Sequence, residues 1–494
     1  MARPACCTVV VDGTHDIGGD EQQSICVRYV DGAFDVHEEF VGFYETHSTT
    51  GADLARLIQD ALQRLGLPLD RLRGLAFDGA ANMAGSVRGA QAILRDEQPQ
   101  AMFVHCGAHC VNRVAKDGCD AAVLIRNALY NVNEVGCLFS ESLKFREKFS
   151  ELCISENVSP NKLRPLCPTR WTVRLQAVDT ALERYDEVLS TLEELGNGQT
   201  HVAARAAGLH AQLRKQSTLL ALHMARVVLL PLDRLSRILQ GSRCTVSHML
   251  RSVQLTKDLL QAERDGTDAS IRQFLQEVET SGCDTPVSLP RKKKRVPARL
   301  AGVGEQHQAS DLSEYLRCQL LLAIDTVCTQ LTDRLDQEGL REHAKVERVL
   351  LTPRSVAELQ AELKDSPWKA EIAVTDLVPQ LQVLFKKLGQ PESLDAATRM
   401  LTDLGQDARD MFPDAAKLVR LLLTFPASSA TAERSFSALR RLKTWLRSTR
   451  GQARLNSAAV CHVHRDRVAS VSADRVATAF ISLNPSRECV FGNK

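Results

Sequence analysis

Aromatic side chains are scarce in this 494-residue chain: Phe, Tyr and Trp together make up 5% of it, with 3 Trp and 5 Tyr. Its interior must be filled by Leu, Ala and Val instead, which predicts a helix-heavy core. An excess of charge is missing too. Lys and Arg number 62 against 60 Asp and Glu, a net charge of +2, so a nucleic-acid partner would have to be met by local clusters of cations and not by the chain as a whole. No uninterrupted apolar stretch approaches the roughly 18–20 residues of a membrane span, and the residues before the first polar break are too few for a signal peptide. These absences set the expectation of a soluble, intracellular protein with no membrane partner. The 15 cysteines, odd in number and scattered, then read as reduced thiols and core filler. What is present is ordinary for a globular protein: 44% hydrophobic and 25% charged residues, in a chain long enough for roughly two to four domains. A peptide, a small disulfide scaffold and a disordered tail are excluded.

The first hundred residues change period in a regular way. Residues 5–11 are a short apolar run, 24–31 alternate with Ile25, Val27 and Tyr29 on one side, and 33–44 form a third β-like stretch. Thr50-Gly-Ala-Asp53 has the form of a capping box, and Leu54, Leu57, Ile58, Ala61, Leu62 and Leu65 follow at helical spacing until Gly66. Residues 72–77 read as a strand, 87–94 as a helix and 101–106 as a fifth strand, giving the order βββαβαβ. Such an order predicts a mixed sheet covered by helices. From about residue 110 the strand signals fade, and Leu and Ala recur at helical spacing. The expected class is therefore α/β plus all-α. The borders are drawn at 1–115, 116–390 with a flexible basic loop near 280–310, and 391–494.

Three acidic residues and two basic segments carry the chemistry. Asp12 ends the first apolar run and Asp78 ends the fourth strand, each followed by Gly. Taken singly, an Asp-Gly after a strand reads as a turn. If the two strands are neighbours, their carboxylates converge in the arrangement that holds divalent ions for phosphoryl transfer. Asp16 competes with Asp12, which directly abuts the strand. Asn82 either orients the loop after Asp78 or caps a helix. After Pro426 the serines at 428 and 429 are placed to cap a helix that carries Glu433 in its first turns. Cys106 and His109 form a C-x-x-H pair with half the ligands of a structural zinc, so zinc is not expected. Arg291, Lys292, Lys293, Lys294 and Arg295, between prolines, read as a nuclear localisation signal. Between Glu433 and Asp466 no acidic residue occurs, whereas Arg434, Arg440, Arg441, Lys443 and further arginines accumulate, a cationic face suited to a DNA backbone.

Taken in order, Asp12-Gly-Thr, Phe77-Asp78-Gly-Ala-Ala-Asn82-Met, Cys106-Gly-Ala-His109, Thr169-Arg170-Trp171 and Ser428-Ser-Ala-Thr-Ala-Glu433-Arg-Ser-Phe-Ser437 resemble the hAT superfamily of cut-and-paste DNA transposases. The last block resembles the start of that family's C-terminal dimerisation region. The resemblance implies an RNase H-like core interrupted by a large α-helical insertion. It implies that Asp12, Asp78 and Glu433 are a DDE triad that binds Mg²⁺ or Mn²⁺, with Cys106, His109 and Asn82 as structural support. It implies DNA contacts from Arg170 and Trp171, the latter stacking on an unpaired base, and from Arg440, Arg441 and Lys443. A homodimer or higher oligomer through the C-terminal region and a nuclear location are expected. Relatives in the family normally carry a BED-type zinc finger before the first strand. None precedes residue 5 here, so sequence-specific recognition of transposon ends is expected to be missing.

Overall fold

The computed structural model describes residues 5–166, 173–241, 244–287, 289 and 311–491. The chain divides into two units, one of residues 1–106 and 338–494, the other of residues 107–337. The first unit therefore closes on itself only after an excursion of more than two hundred residues.

Its centre is a five-stranded sheet: β1 (Cys7–His15), β2 (Glu21–Val30), β3 (Val36–Thr46), β4 (Leu72–Phe77) and β5 (Met102–His105), in the spatial order β3-β2-β1-β4-β5. The opening meander is antiparallel, and β1, β4 and β5 run parallel. α1 (Gly51–Arg64) starts where Thr50 accepts from the Asp53 amide, and the chain leaves it through Gly66 in the left-handed region, at φ +65°. α2 (Ala90–Glu97) begins three residues later than the periodicity predicts. Gly85 and Gly89 pack too closely for any Cβ at either position, and the turn they make leaves Val87 in solvent.

The two faces of the sheet differ in kind. One presents Val9, Val11, Ile25, Val27, Leu75 and Phe77 to Leu54, Ile58, Ala61 and Leu62 of α1 and to Ala90 and Leu94 of α2. Burial there follows the period-2 and period-3.6 patterns directly. The other face presents Thr8, Ser24, Cys26, Arg28 and Gly74. It is covered by α3 (Glu338–Leu351), α4 (Pro413–Thr424), α5 (Ala430–Leu442) and α6 (Gln452–Val463). A Cβ on Gly74 would sit 2.4 Å from Thr8 Oγ1 and 3.0 Å from the Phe425 ring, so only glycine lets the segment after α4 approach β4. Arg28, buried, donates from Nε and Nη2 to the Leu423 carbonyl at 3.0 and 2.9 Å and from Nη1 to Glu38 at 2.7 Å.

β3 is an edge strand, and side chains of α6 hydrogen-bond its backbone at Phe43. The Phe43 amide donates to Asn456 Oδ1 at 3.0 Å, and Gln452 Nε2 donates to the Phe43 carbonyl at 2.8 Å. That part of the sheet edge is thereby covered by a helix.

The second unit is helical, as expected for the middle of the chain, with Gln216–Leu239 and Leu312–Leu335 its longest helices. The sequence borders at 115/116 and 390/391 lie elsewhere than the structural ones. α3 belongs with the sheet because His343, buried, meets the Leu422 carbonyl at 3.1 Å and stacks on Phe425, with ring centroids 5.5 Å apart. Every described cysteine is a free thiol. Among the described residues no helix is long and apolar enough to cross a membrane.

Candidate active site

β1 and β4 are hydrogen-bonded neighbours, and their last registered pair is Val10 with Ala76. Asp12 and Asp78 each follow two residues later. Continuing the parallel register places the two carboxylates at one level, on strands roughly 4.8 Å apart, and on the face that carries Thr8, Val10, Gly74 and Ala76. Each Asp also makes its own turn: the Gly13 amide donates to Asp12 at 3.0 Å and the Ala80 amide to Asp78 at 3.3 Å. A turn at each Asp-Gly pair is therefore compatible with the two aspartates lying on one face of the sheet.

Across the antiparallel pairing, Asp12 stands opposite Ser24, so their side chains share a face. The Ser24 and Ser435 hydroxyls are hydrogen-bonded at 2.7 Å, both buried. Ser435 lies two residues after Glu433 on α5. This contact seats the first turns of α5, with their carboxylate, over the end of β1 where Asp12 emerges. The start of α5 is fixed by two further contacts. The Ser429 amide donates to buried Cys106 Sγ at 3.2 Å, and Thr431 donates to Glu38, which Arg28 also holds. Ser429 occupies the N-cap position without a side-chain cap; Cys106, the residue after β5, does the anchoring instead.

The electrostatics couple the three acids. Asp12 is driven well above the usual carboxylate range by burial first, then by the charges of Asp78 and Glu433, with the Gly13 amide pulling the other way. Burial pushes Glu433 up to about 7 despite the attraction of Arg434 and Arg440. A set of like charges partly removed from water and mutually repelling is what a divalent cation would relieve. The donors are all carboxylate oxygens, which suit Mg²⁺ or Mn²⁺. As the side chains stand, no group of three or more His, Cys, Asp or Glu among the described residues is close enough to hold a metal ion.

The remaining candidates fall in different places. Asn82 lies on a one-turn helix (Ala81–Ala84) and donates to the Thr49 carbonyl at 2.9 Å, bracing the loop after Asp78. His109 lies half-buried on the first helix of the second unit. Arg440 and Arg441 are exposed on α5. Lys443, counted with them in the sequence, turns inward: its side chain is 4% exposed and its ammonium meets Asp16 at 2.5 Å and Asp20 at 3.0 Å. Asp16, the alternative to Asp12, is thus engaged elsewhere. Burial works against its charge, yet Lys443 and the Gly18 amide hold its carboxyl below the usual range. Arg170, Trp171 and the basic run 291–295 lie outside the described residues. Sequence reasoning missed Ser24, Ser435 and the Arg28–Glu38 pair, whose partners are too distant in the chain to leave a local signal. Only the inward parity of Ser24, Cys26 and Arg28 on β2 marked that face as polar.

The profile of the hAT family C-terminal dimerisation region matches residues 399–466, the segment that delivers Glu433, and that of a ZMYM1/FAM200 RNase-like domain matches residues 4–89, the segment that delivers both aspartates. Both matches bear out the resemblance to the hAT superfamily. The chain is also similar to proteins of mouse and human that both bear the name 52 kDa repressor of the inhibitor of the protein kinase. Each is 21% identical over 480 residues, covering 93% of this chain and 62% of the relative. The chain spans about three fifths of the length of the curated relatives it matches. The hAT dimerisation region is not a separable appendage here. Three of its helices, α4, α5 and α6, form the cover of the sheet's polar face and edge.

Proposed function

We propose that this hAT-derived protein self-associates and carries a divalent-metal DDE site for cleavage and transfer of DNA strands, with Asp12, Asp78 and Glu433 as the ligands. What supports the reading is the coupling of three acids, drawn from positions 12, 78 and 433, at one end of one sheet face. Mg²⁺ or Mn²⁺ bound there would activate an attacking water or 3′-hydroxyl and stabilise the leaving oxygen of an in-line displacement. The chain's own part is to hold those ligands. β1 and β4 fix the two aspartates in register, and Ser24, Ser435 and Cys106 fix the helix of Glu433. Arg440 and Arg441 neutralise backbone phosphates. The residues 291–295 serve as a nuclear address, and Arg170 and Trp171 meet an unpaired base at the DNA end. The test is nicking of preprocessed DNA in Mn²⁺, with Asp78→Asn and Glu433→Gln as controls. Loss of cutting in both variants is expected, and equal cutting by wild type and variants would sink the reading.

A second reading is favoured by the name of the relatives, which are called repressors. In it the same fold is a non-catalytic nuclear protein that dimerises and binds DNA or a protein partner. Duplex binding that survives Asp78→Asn, in a chain that never cuts, would select it. For self-association the exposed Trp445 and Leu446, 77% and 98% accessible, are the positions to change. Deleting residues 393–494 would strip the sheet of its cover and unfold the unit rather than test the interface. Trp445→Ser with Leu446→Ser is expected to halve the mass seen by light scattering.

A further inference from the structure

We propose that Asp16 and Lys443 form a latch that sets the register of α5 on β1, and so positions Glu433 against Asp12. The proposal rests on the reading of Glu433 and Asp12 as one site. The Asp16 side chain is fully buried and that of Lys443 is 4% exposed. The Asp16 carboxylate accepts from Lys443 Nζ at 2.5 Å, the Gly18 amide at 2.7 Å, Gln22 Nε2 at 3.1 Å and the Asp20 amide at 3.3 Å. Lys443 donates a second bond, to Asp20 at 3.0 Å. Gln22 and Gln452 add a reciprocal amide pair at 3.1 and 3.2 Å. The β1–β2 turn is thereby tied to the residue that caps α5 and to the first residue of α6.

The spacing gives this tie its meaning. From Asp12 to Asp16 the strand advances about 13 Å, and from Glu433 to Lys443 the helix advances about 15 Å. The two segments run side by side with matched lengths. They are joined near one end by the Ser24–Ser435 contact, beside Asp12 and Glu433, and at the other by the ion pair. A slip of α5 by a single residue shifts Glu433 by about 1.5 Å and leaves two buried charges without partners. Buried ion pairs contribute little net stability, but they penalise the wrong register heavily. Neither residue touches the proposed reacting atoms; both are positioning residues.

The test uses the full chain with Mn²⁺ alone as the probe, free ion being read by electron paramagnetic resonance, and thermal midpoints measured in chelator alongside. Lys443→Met and Asp16→Asn are expected to weaken Mn²⁺ binding at least tenfold while the chain stays folded, and Lys443→Arg is expected to restore it. Wild-type affinity in folded Lys443→Met overturns the latch. If the wild-type chain binds no Mn²⁺, the proposed function fails and amide hydrogen exchange decides the latch. Faster exchange confined to the Glu433 turn in Lys443→Met, reversed in Lys443→Arg, upholds it, and unchanged exchange removes it.

Discussion

The two faces of the five-stranded sheet are built on opposite principles. The face under α1 and α2 is apolar throughout, assembled from segments less than a hundred residues apart, and any set of side chains of similar volume would serve it. The face under α4 and α5 is held by hydroxyl, guanidinium, carboxylate and thiol contacts whose partners lie more than three hundred residues apart. An apolar contact tolerates small shifts, whereas a buried polar one is either made or costly. The candidate acids sit on the second face, where position is specified most tightly.

The largest expected effect comes from breaking that specification. Arg28→Ala should cost about 3–5 kcal/mol in urea unfolding, because it strands Glu38 and the Leu423 carbonyl in the interior. A loss no greater than that of a surface arginine would mean that this face is packed as loosely as the other.

Next comes a gain. The Glu433 carboxyl titrates near 7 in the folded chain, above its ordinary value of about 4.5 when unfolded. Between these pH values the folded state holds a proton that the unfolded state has lost, so metal-free stability falls as pH rises through the window. Glu433→Gln should be more stable than wild type by about 1–3 kcal/mol at pH 8 in chelator and equal to it below about pH 4.5. Saturating Mn²⁺ should reverse the order at pH 8, since only wild type gains from the ion. Thermal melts at several pH values check both points.

Ser435→Ala should cost about 1–2 kcal/mol, the penalty of leaving the Ser24 hydroxyl buried without its partner. The smallest effect belongs to the apolar face. Ile58→Val should cost about 1 kcal/mol, and its loss should not depend on pH or on Mn²⁺. Any metal dependence there would erase the distinction between the faces.

The same difference governs how much could be read from the residues. The meander, α1 with its Thr50 cap, the two later strands and the helical middle are encoded by local periodicity, and they stand where it points. Asp12 and Asp78 announce themselves because strand ends are local features. Glu433 could be singled out only through the Ser-Ser…Glu-Arg-Ser-Phe-Ser block, and nothing local says which way α5 faces. Lys443 shows the limit most plainly. In the sequence it is one cation among many, and its burial is decided by Asp16 and Asp20, more than four hundred residues earlier. Residues 338–390 read as more of the helical middle, because His343 and Trp368 carry no mark of the sheet they pack against.

The Leu423 carbonyl that Arg28 grips is 395 residues further along the chain. At translation rates of about 5–20 residues per second, the guanidinium waits roughly 20–80 seconds on the ribosome before its acceptor exists. Throughout that interval the half of the first unit already synthesised can complete its apolar layer while its polar layer stays open to water and to chaperones. Early termination anywhere before α4 would release a protein permanently in that condition.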